Sequence, residues 1–301
     1  MKNSMQNCRL CPRECGADRT GGRTGYCGAD DQVRVAHTQL HMWEEPCISG
    51  KEGSGTVFFS GCNLRCCYCQ NAAIVERCCG QPMMPAQLAD LFLELAAKGA
   101  NNINLVTAAH YVPQVAEAIR LAKQKGLLIP VVYNSSGYEK VSALHLLDGL
   151  VDIYLPDLKY MEEETAALYS NAPDYPDIAK ATIAEMVRQA GDPVFDDRGM
   201  LMRGVIVRHL LLPGHVKAAK TVVSYLLGTY GQKIWISLMN QYTPMPAMAK
   251  DPLLGRRVTK REYERLTEYA LSCGLVNGFI QEGKTADESF IPLFEHSAPV
   301  S

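Results

Sequence analysis

The sequence predicts an α/β fold built around a sheet of parallel strands. From residue 56 onward, short apolar or β-branched runs alternate with longer amphipathic segments, and the alternation is repeated about six times. Parallel strands need a long crossover connection, usually a helix, so this alternation indicates parallel pairing. Such a sheet is either open and doubly wound or curled into a full or partial barrel. In both forms ligands bind in the loops after the carboxyl ends of the strands.

Short apolar runs predict the strands, and longer amphipathic segments predict the helices. The predicted strands are residues 56–61, 102–107, 127–133, 151–156, 203–212 and 233–238. The predicted helices are residues 85–99, 112–126, 216–230 and 259–273. The first two helices end at Gly99 and Gly126, which stand where a C-terminal capping glycine is expected.

The first 45 residues differ from the rest of the chain. They are short of apolar runs and rich in Cys, Gly and Arg. Because such a segment cannot build a conventional core, we expect it to need a metal or the main domain in order to fold. We therefore predict a Cys-rich metal-binding segment at 1–45, a barrel domain at 46–285 and a C-terminal tail at 286–301.

Composition and charge exclude several classes of protein. The chain has 301 residues, 47% of them hydrophobic, and a formal net charge of −2. This is enough material for one large domain, and without an extended basic tract we expect no nucleic-acid partner. The first residues lack the apolar core of a signal peptide, and no stretch approaches the roughly 20 apolar residues that span a membrane. We expect a soluble cytoplasmic protein.

Twelve cysteines are many for such a chain, and most of them lie in two clusters. In a reducing cytosol this clustering favours metal sites over disulfides. Four thiolates in the first cluster fit either a closed zinc site or an auxiliary 4Fe-4S cluster, and their spacing does not decide between them. These residues are Cys8, Cys11, Cys15 and Cys27. The scattered cysteines are expected to be buried small hydrophobes, and they are Cys47, Cys78, Cys79 and Cys273.

The second cluster, CNLRCCYC, directly follows the first predicted strand. Cys62, Cys66 and Cys69 form a C-x3-C-x2-C arrangement, from which Cys67 is excluded by its position. Three thiolates can hold three irons of a 4Fe-4S cluster and leave the fourth iron open to a substrate. Zinc is the main rival, although three grouped thiolates with no nearby His or Glu would be unusual for a catalytic zinc site.

This motif, with Tyr68 before its last cysteine, resembles the radical SAM superfamily. The resemblance covers nearly the whole chain and is closest to proteins similar to pyruvate formate-lyase activating enzyme. It includes the segments CRLCPRECG, NINLVTAAHYVPQ, VVYNSSGYE, DIYLPDLKY, RGVIVRHLLLPG and SLMNQYTPM. The resemblance implies a partial (β/α)6 barrel, with a 4Fe-4S cluster and S-adenosylmethionine bound at its carboxyl-terminal mouth. The open iron would bind the amino and carboxylate groups of that cosubstrate.

The resemblance also implies roles for polar residues after the third and fourth strands. Asp157 and Lys159 match a D-x-K element, in which the ammonium group meets the cosubstrate's carboxylate. Helix capping is the alternative role of the aspartate. Asn134 and Ser135 take the place of a D-T-N-G element and are expected to make polar contacts, with a monovalent cation left open. Tyr68 would pack near the adenine or serve simply in packing.

After the second strand, many relatives place a G-G-E element that receives the cosubstrate's amino group. This chain has Thr107 and His110 in that region instead. Both carry groups that can hydrogen-bond to the cosubstrate. His110 could alternatively face the substrate or make a structural hydrogen bond.

Two further regions carry candidate residues. Arg208 and His209 are adjacent on a predicted strand, so only one can face the barrel interior, and the resemblance favours Arg208. After the sixth strand, three residues are candidates for ribose or adenine contacts or for loop stabilisation. They are Asn240, Gln241 and Tyr242.

The function implied by the resemblance is cleavage of S-adenosylmethionine to a 5′-deoxyadenosyl radical, which then abstracts a hydrogen atom. The analogy suggests a glycyl radical enzyme as protein substrate, a low-potential flavodoxin or ferredoxin as electron donor, and anaerobic use. A small molecule or a peptide is the alternative substrate. A non-catalytic iron-sulfur or zinc protein is the alternative of another class, but it would have no use for the PDLK element.

Overall fold

A computed structural model describes residues 5–77 and 79–281, and only the backbone of residues 76 and 77. The strands are β1 Val33–His41, β2 Ser54–Phe59, β3 Gln81–Met83, β4 Ile103–Val106, β5 Val131–Ser135, β6 Ile153–Pro156, β7 Val194–Phe195, β8 Leu201–Leu210, β9 Trp235–Met239 and β10 Gly278–Ile280. The helices, apart from short 3-10 turns, are α1 Pro46–Ser49, α2 Ala72–Arg77, α3 Pro85–Ala97, α4 Val112–Gln124, α5 Val141–Leu144, α6 Glu163–Ser170, α7 Tyr175–Ala190, α8 Val216–Tyr230 and α9 Lys260–Ser272.

Within these residues the ten strands form one mixed sheet. Its order is β10-β9-β8-β6-β5-β4-β2-β1-β3, and β7 pairs with β8. Along the path between β2 and β10, each strand is parallel to its neighbours. Helices form the crossover connections that parallel strands need. Six of these strands are the ones that the sequence predicts, so the α/β fold class is confirmed.

Two strands at one end of the sheet were not predicted. β1 lies inside the Cys-rich segment and pairs antiparallel with β2, and β3 pairs antiparallel with β1. Val33 and Val35 of β1 are buried in the main core. The remaining residues of β1 are mostly polar, which hides the strand from an argument based on apolar runs.

The four predicted helices are present with ends that differ by no more than two residues. Gly99 and Gly126 have φ angles of 90° and 99°, as expected for residues that end a helix in the left-handed region. β5 begins four residues later than predicted. Leu128 is 92% exposed, and Pro130 has no N–H to donate to a neighbouring strand.

The scattered cysteines differ in burial. Cys47 is buried, as predicted, whereas Cys79 and Cys273 are exposed, so for them the prediction of burial was wrong. Both lie at chain positions next to turns rather than inside a core-facing element. Cys78 and the predicted tail at 286–301 lie outside the described residues. In the part of the chain that is described, none of the helices has both the length and the apolar character of a membrane span.

Candidate cofactor site at the carboxyl ends of the strands

A cavity of about 230 Å³ lies at the carboxyl ends of the parallel strands. It brings together side chains that are far apart in sequence. The predicted site residues that line it are Cys66, Tyr68, Cys69, Asn134, Asp157, Lys159 and Arg208. Its remaining wall includes His41 and Glu44, neither of which the sequence analysis singled out.

The cysteine loop after β2 is shaped by unusual backbone conformations. Gly61 and Arg65 have φ angles of 84° and 58°, and Leu64 anchors the loop with a fully buried side chain. The N–H of Leu64 donates to Cys62 Sγ at 3.3 Å, and the N–H of Cys69 donates to the Cys66 carbonyl at 3.1 Å. In this loop Cys66 and Cys69 line the cavity, and the buried Cys62 lies close enough to interact electrostatically with both.

The chemistry of these thiols fits a 4Fe-4S cluster. Burial raises the pKa of Cys69 to about 12, and the nearby Cys66 and Cys62 sulfurs act in the same direction. Burial likewise raises the pKa of the other two thiols. Three soft sulfur donors that disfavour one another as bare thiolates are suited to a cationic iron centre. Among the described residues, no three His, Cys, Asp or Glu side chains converge as ligands of a single ion, but cluster ligands each bind a different iron.

Asp157 and Lys159 form an ion pair in the same cavity. Lys159 Nζ donates to Asp157 Oδ2 at 2.5 Å. Burial opposes the charge of the lysine, but Asp157 and the Cys66 sulfur outweigh it and hold the lysine pKa well above its usual value. The pair therefore presents a fixed ammonium group beside the cysteine sulfurs.

The backbone around this pair is held by Tyr175 and Gly137. Tyr175 Oη accepts from the Lys159 N–H at 3.0 Å and lies within donor distance of the Ser136 and Asp157 carbonyls. Gly137 has a φ of 78°, and a Cβ there would lie 2.3 Å from the Asp157 carbonyl oxygen. Only glycine fits this close approach of two strand ends.

Arg208 of β8 lines the cavity and forms ion pairs with two glutamates. Its Nε donates to Glu45 Oε1 at 2.9 Å, and its Nη2 donates to both Glu44 and Glu45. Burial opposes the charge of Arg208, but the two carboxylates outweigh it and keep its pKa well above its usual value. The sequence signal that could have indicated this pair is the adjacent acids in MWEEP. The side chain of His209 instead contacts the Leu158 carbonyl at 2.7 Å.

Other predicted residues do not line the cavity. The His110 side chain is 1% exposed, its Nε2 lies 2.7 Å from the Ser60 carbonyl, and burial lowers its pKa to about 3. The side chain thus makes a buried hydrogen bond within the protein. Ser135 Oγ donates to Glu139 at 2.7 Å and accepts from the Gly137 N–H at 3.0 Å. Thr107 has a φ of 62° and donates its N–H to the Asn134 carbonyl at 3.0 Å.

The residues after β9 hold neighbouring chain segments. The Asn240 N–H donates to Gln281 Oε1 at 3.0 Å. The Gln241 carbonyl accepts from Gln70 Nε2 at 3.1 Å, which ties this loop to the cysteine loop. The Tyr242 hydroxyl is buried and donates to the Leu254 carbonyl.

The four N-terminal cysteines also lie near one another and next to the second cysteine loop. A Cβ on Gly25 would lie 2.9 Å from Cys15 Sγ and 3.7 Å from Cys27 Sγ. Arg19 Nη1 lies 3.8 Å from Cys8 Sγ, and the side chain of Asn63 hydrogen-bonds to Cys11. The Cys27 carbonyl accepts from the Cys62 N–H at 3.2 Å, so the two cysteine regions are directly joined.

Comparison with known proteins gives a family and a set of similar folds. The model of the Radical SAM superfamily matches residues 56–214, which is more than half of the chain. An uncharacterized protein of Methanocaldococcus jannaschii is 28% identical over 278 residues, covering 89% of this chain and 75% of that protein.

Two solved structures of SuiB from Streptococcus suis are also similar. SuiB bound to its precursor peptide SuiA matches with a TM-score of 0.51 and 10% identity, over 74% of this chain and 47% of that one. SuiB bound to S-adenosylmethionine matches with a TM-score of 0.49 and 12% identity, over 74% of this chain and 48% of that one. The chain thus spans about half the length of these structures.

Proposed function

The chain belongs to the radical SAM superfamily, and we propose that it is an enzyme that reductively cleaves S-adenosylmethionine at a 4Fe-4S cluster held by Cys62, Cys66 and Cys69. When bound, the cluster supplies the electron that breaks the sulfonium C–S bond and releases methionine and a 5′-deoxyadenosyl radical. The observation that carries the proposal is the shared cavity in which the Asp157–Lys159 pair lies beside Cys66 and Cys69.

In this proposal the residues of the cavity wall bind and orient the cosubstrate. Lys159 offers an ammonium group to the carboxylate of S-adenosylmethionine, and Asp157 keeps that group charged and in place. Asn134 supplies an amide for a further polar contact, and the ring of Tyr68 packs near the adenine. Arg208 is already paired with two carboxylates, so we assign it to shaping the cavity floor.

The cleavage assay tests the enzymatic proposal directly. Anaerobically reconstituted, reduced protein should release 5′-deoxyadenosine and methionine from S-adenosylmethionine. Replacing Cys62, Cys66 or Cys69 by Ala should abolish the product, whereas Cys67→Ala should largely spare it. Cys67 is a matched control because it belongs to the same loop but stands outside the C-x3-C-x2-C spacing of Cys62, Cys66 and Cys69. Fully loaded wild-type protein that forms no deoxyadenosine would contradict the proposal.

For the substrate, we propose a glycyl radical enzyme, from which the deoxyadenosyl radical takes a hydrogen atom at a glycine Cα. This proposal is supported by the resemblance to pyruvate formate-lyase activating enzyme and by the cavity at the carboxyl-terminal end of the sheet. A low-potential flavodoxin or ferredoxin would deliver the electron. The test is a glycyl radical signal by EPR spectroscopy on a candidate partner, which should need both this protein and S-adenosylmethionine.

A peptide is the second candidate substrate. The observation in its favour is the similarity in fold to SuiB, which is bound to a precursor peptide in one solved structure. The two candidates differ in their product, since one leaves a radical on a folded partner and the other a stable covalent change. Mass spectrometry of candidate peptides after turnover would detect the covalent change, whereas EPR spectroscopy would detect the glycyl radical.

At the N-terminus we propose a second metal site formed by Cys8, Cys11, Cys15 and Cys27. Their proximity and the contact of Cys27 with Cys62 support it. The four thiols do not converge on one point among the described residues, so binding of either a structural zinc or an auxiliary iron-sulfur cluster would have to draw them together. A variant with Cys62, Cys66 and Cys69 all replaced by Ala isolates this site. Its metal content should be about one zinc or about four irons per chain, as set by the two site types.

A further inference from the structure

A chain of hydroxyl groups connects the cavity wall to one of the cysteine sulfurs. Tyr68 Oη lies 2.6 Å from Tyr160 Oη, which lies 2.9 Å from Ser170 Oγ. Ser170 Oγ donates to Cys66 Sγ at 3.0 Å. Tyr68, Tyr160 and Ser170 are 6%, 3% and 1% exposed, so the chain is shielded from water.

The direction of each hydrogen bond in this chain follows from the last one. Ser170 has a single hydroxyl proton, which it gives to Cys66, so it accepts from Tyr160. Tyr160 in turn has no second proton and accepts from Tyr68. All the O–H dipoles therefore point from the cavity toward the sulfur.

From this geometry, and on the basis of the proposed function, we infer that Ser170 is a positioning residue that raises the reduction potential of the cluster bound through Cys66. Reduction adds negative charge to the cluster and its sulfurs. A hydrogen-bond donor on a ligand sulfur stabilises the more negative state, and such bonds are one of the factors that set the potential. Tyr160 and Tyr68 strengthen the effect because aligned hydrogen bonds polarise one another.

The position of Ser170 is fixed from two sides. It is the last residue of α6, and its carbonyl accepts from Arg13 Nη2 at 3.2 Å. The carbonyl of the preceding residue, Tyr169, accepts a hydrogen bond from the Cys67 N–H at 2.8 Å. The end of α6 and the cysteine loop are thus held together by backbone contacts that do not involve the hydroxyl of Ser170.

The test is a redox titration of the reconstituted protein, followed by the EPR signal of the reduced cluster in the absence of S-adenosylmethionine. Ser170→Ala should shift the midpoint potential to a more negative value, and Ser170→Thr, which keeps the hydroxyl, should restore it. Tyr160→Phe should shift it in the same direction by less, because the donor on the sulfur remains.

Tyr169→Phe is the matched control for these variants. The Tyr169 ring lies 6.3 Å from Tyr68 and 6.4 Å from Tyr160, but its hydroxyl contacts His215 and takes no part in the chain. The cluster of the Tyr169→Phe variant should have the same midpoint potential as that of the wild type. If cluster-loaded Ser170→Ala and Tyr160→Phe both keep the wild-type midpoint potential, the inference is wrong. The proposed cleavage of S-adenosylmethionine would not be affected by that result. If Ser170→Ala fails to bind iron, Tyr160→Phe decides the matter alone. A wild type that binds no cluster would refute the proposed function itself.

Discussion

Replacing Gly137 by Ala should damage the proposed cosubstrate site through the backbone, without altering any polar group. Gly137 has a φ of 78°, and its new Cβ would lie 2.3 Å from the Asp157 carbonyl oxygen and 3.1 Å from Tyr175 Oη. Both of those atoms belong to the network that holds the backbone of Lys159. The substitution should therefore move the Asp157–Lys159 pair away from the cysteine sulfurs.

The magnitude follows from two separate costs. A side chain in the left-handed region costs about 1–2 kcal/mol. Forcing a methyl group against fixed backbone adds about 1–3 kcal/mol. Gly137→Ala should therefore lower the free energy of unfolding by about 2–5 kcal/mol. Gly149 has a φ of 72° with nothing within 4 Å of its Cβ position, so Gly149→Ala should show only the first cost.

The assay is urea unfolding of both variants, followed by binding of S-adenosylmethionine to the cluster-loaded proteins under anaerobic conditions. Gly137→Ala should unfold at a clearly lower urea concentration than Gly149→Ala and should bind the cosubstrate more weakly. Gly149→Ala should bind it as the wild type does. If both variants lose the same stability and bind equally well, the close approach to Asp157 has no energetic role.

Three further substitutions test the charges in and around the site. Lys159→Met should weaken binding of S-adenosylmethionine severalfold while the cluster still loads, as measured by dialysis and iron content. Arg208→Gln should lower the free energy of unfolding by about 3–5 kcal/mol, because it leaves buried Glu45 unpaired. Burial raises the pKa of Glu139 from 4.5 to about 7, so the folded state should lose about 3 kcal/mol as the pH rises from about 4.5 to about 7. Glu139→Gln should remove that loss, as measured by urea unfolding across the pH range.

Each of these predictions has an outcome that contradicts it. Unchanged cosubstrate affinity in Lys159→Met would remove the proposed role of its ammonium group. Adding Glu45→Gln to Arg208→Gln should recover part of the lost stability, since it removes the unpaired charge, and no recovery would refute the reasoning. For Glu139, the sign is set by the raised pKa, because the unfolded state releases its proton first. Stability that rises between pH 4.5 and pH 7 through this residue would be inconsistent with its burial.

Local sequence predicted the parts of the site that local geometry determines. The cysteine loop and the Asp157–Lys159 pair follow directly after strands, Asn134 is the last residue but one of β5, and parallel strands bring their carboxyl ends to one edge. Apolar runs alone were enough to identify those strands. Alternation along β8 allowed only one of Arg208 and His209 to face the interior, and the family resemblance rather than the alternation favoured Arg208, which lines the cavity.

Contacts between distant segments could not be predicted in this way. Glu45 and Arg208 are 163 residues apart, and Ser170 and Cys66 are 104 residues apart. The burial of His110 against the Ser60 carbonyl is also encoded by no local pattern. Antiparallel pairing of β1 with β2 likewise depends on the register between two segments, and not on the apolar content of either one.

Arg13 joins the Cys-rich segment to the α/β fold that follows it. It belongs to the CPREC motif and donates to the carbonyls of Asn63 at 2.8 Å and Leu64 at 3.3 Å in the cysteine loop. It also donates to the carbonyls of Ser170 at 3.2 Å and Asn171 at 2.5 Å, at the C-terminal end of α6. A cation is favourable at that end of a helix, where carbonyl groups lack intrahelical partners.

One guanidinium group therefore joins three segments: the N-terminal cysteine motif, the loop that carries Cys62, Cys66 and Cys69, and the helix that ends at Ser170. Because Arg13 contacts the cysteine loop at Asn63 and Leu64 as well as the carbonyl of Ser170, the N-terminal segment helps to hold the two segments of the Ser170–Cys66 contact together. A metal bound at the N-terminal cysteines would stabilise that environment even if it carried no electron. The contacts of Arg13 thus give the Cys-rich segment a structural role in this α/β fold whether or not it binds a metal.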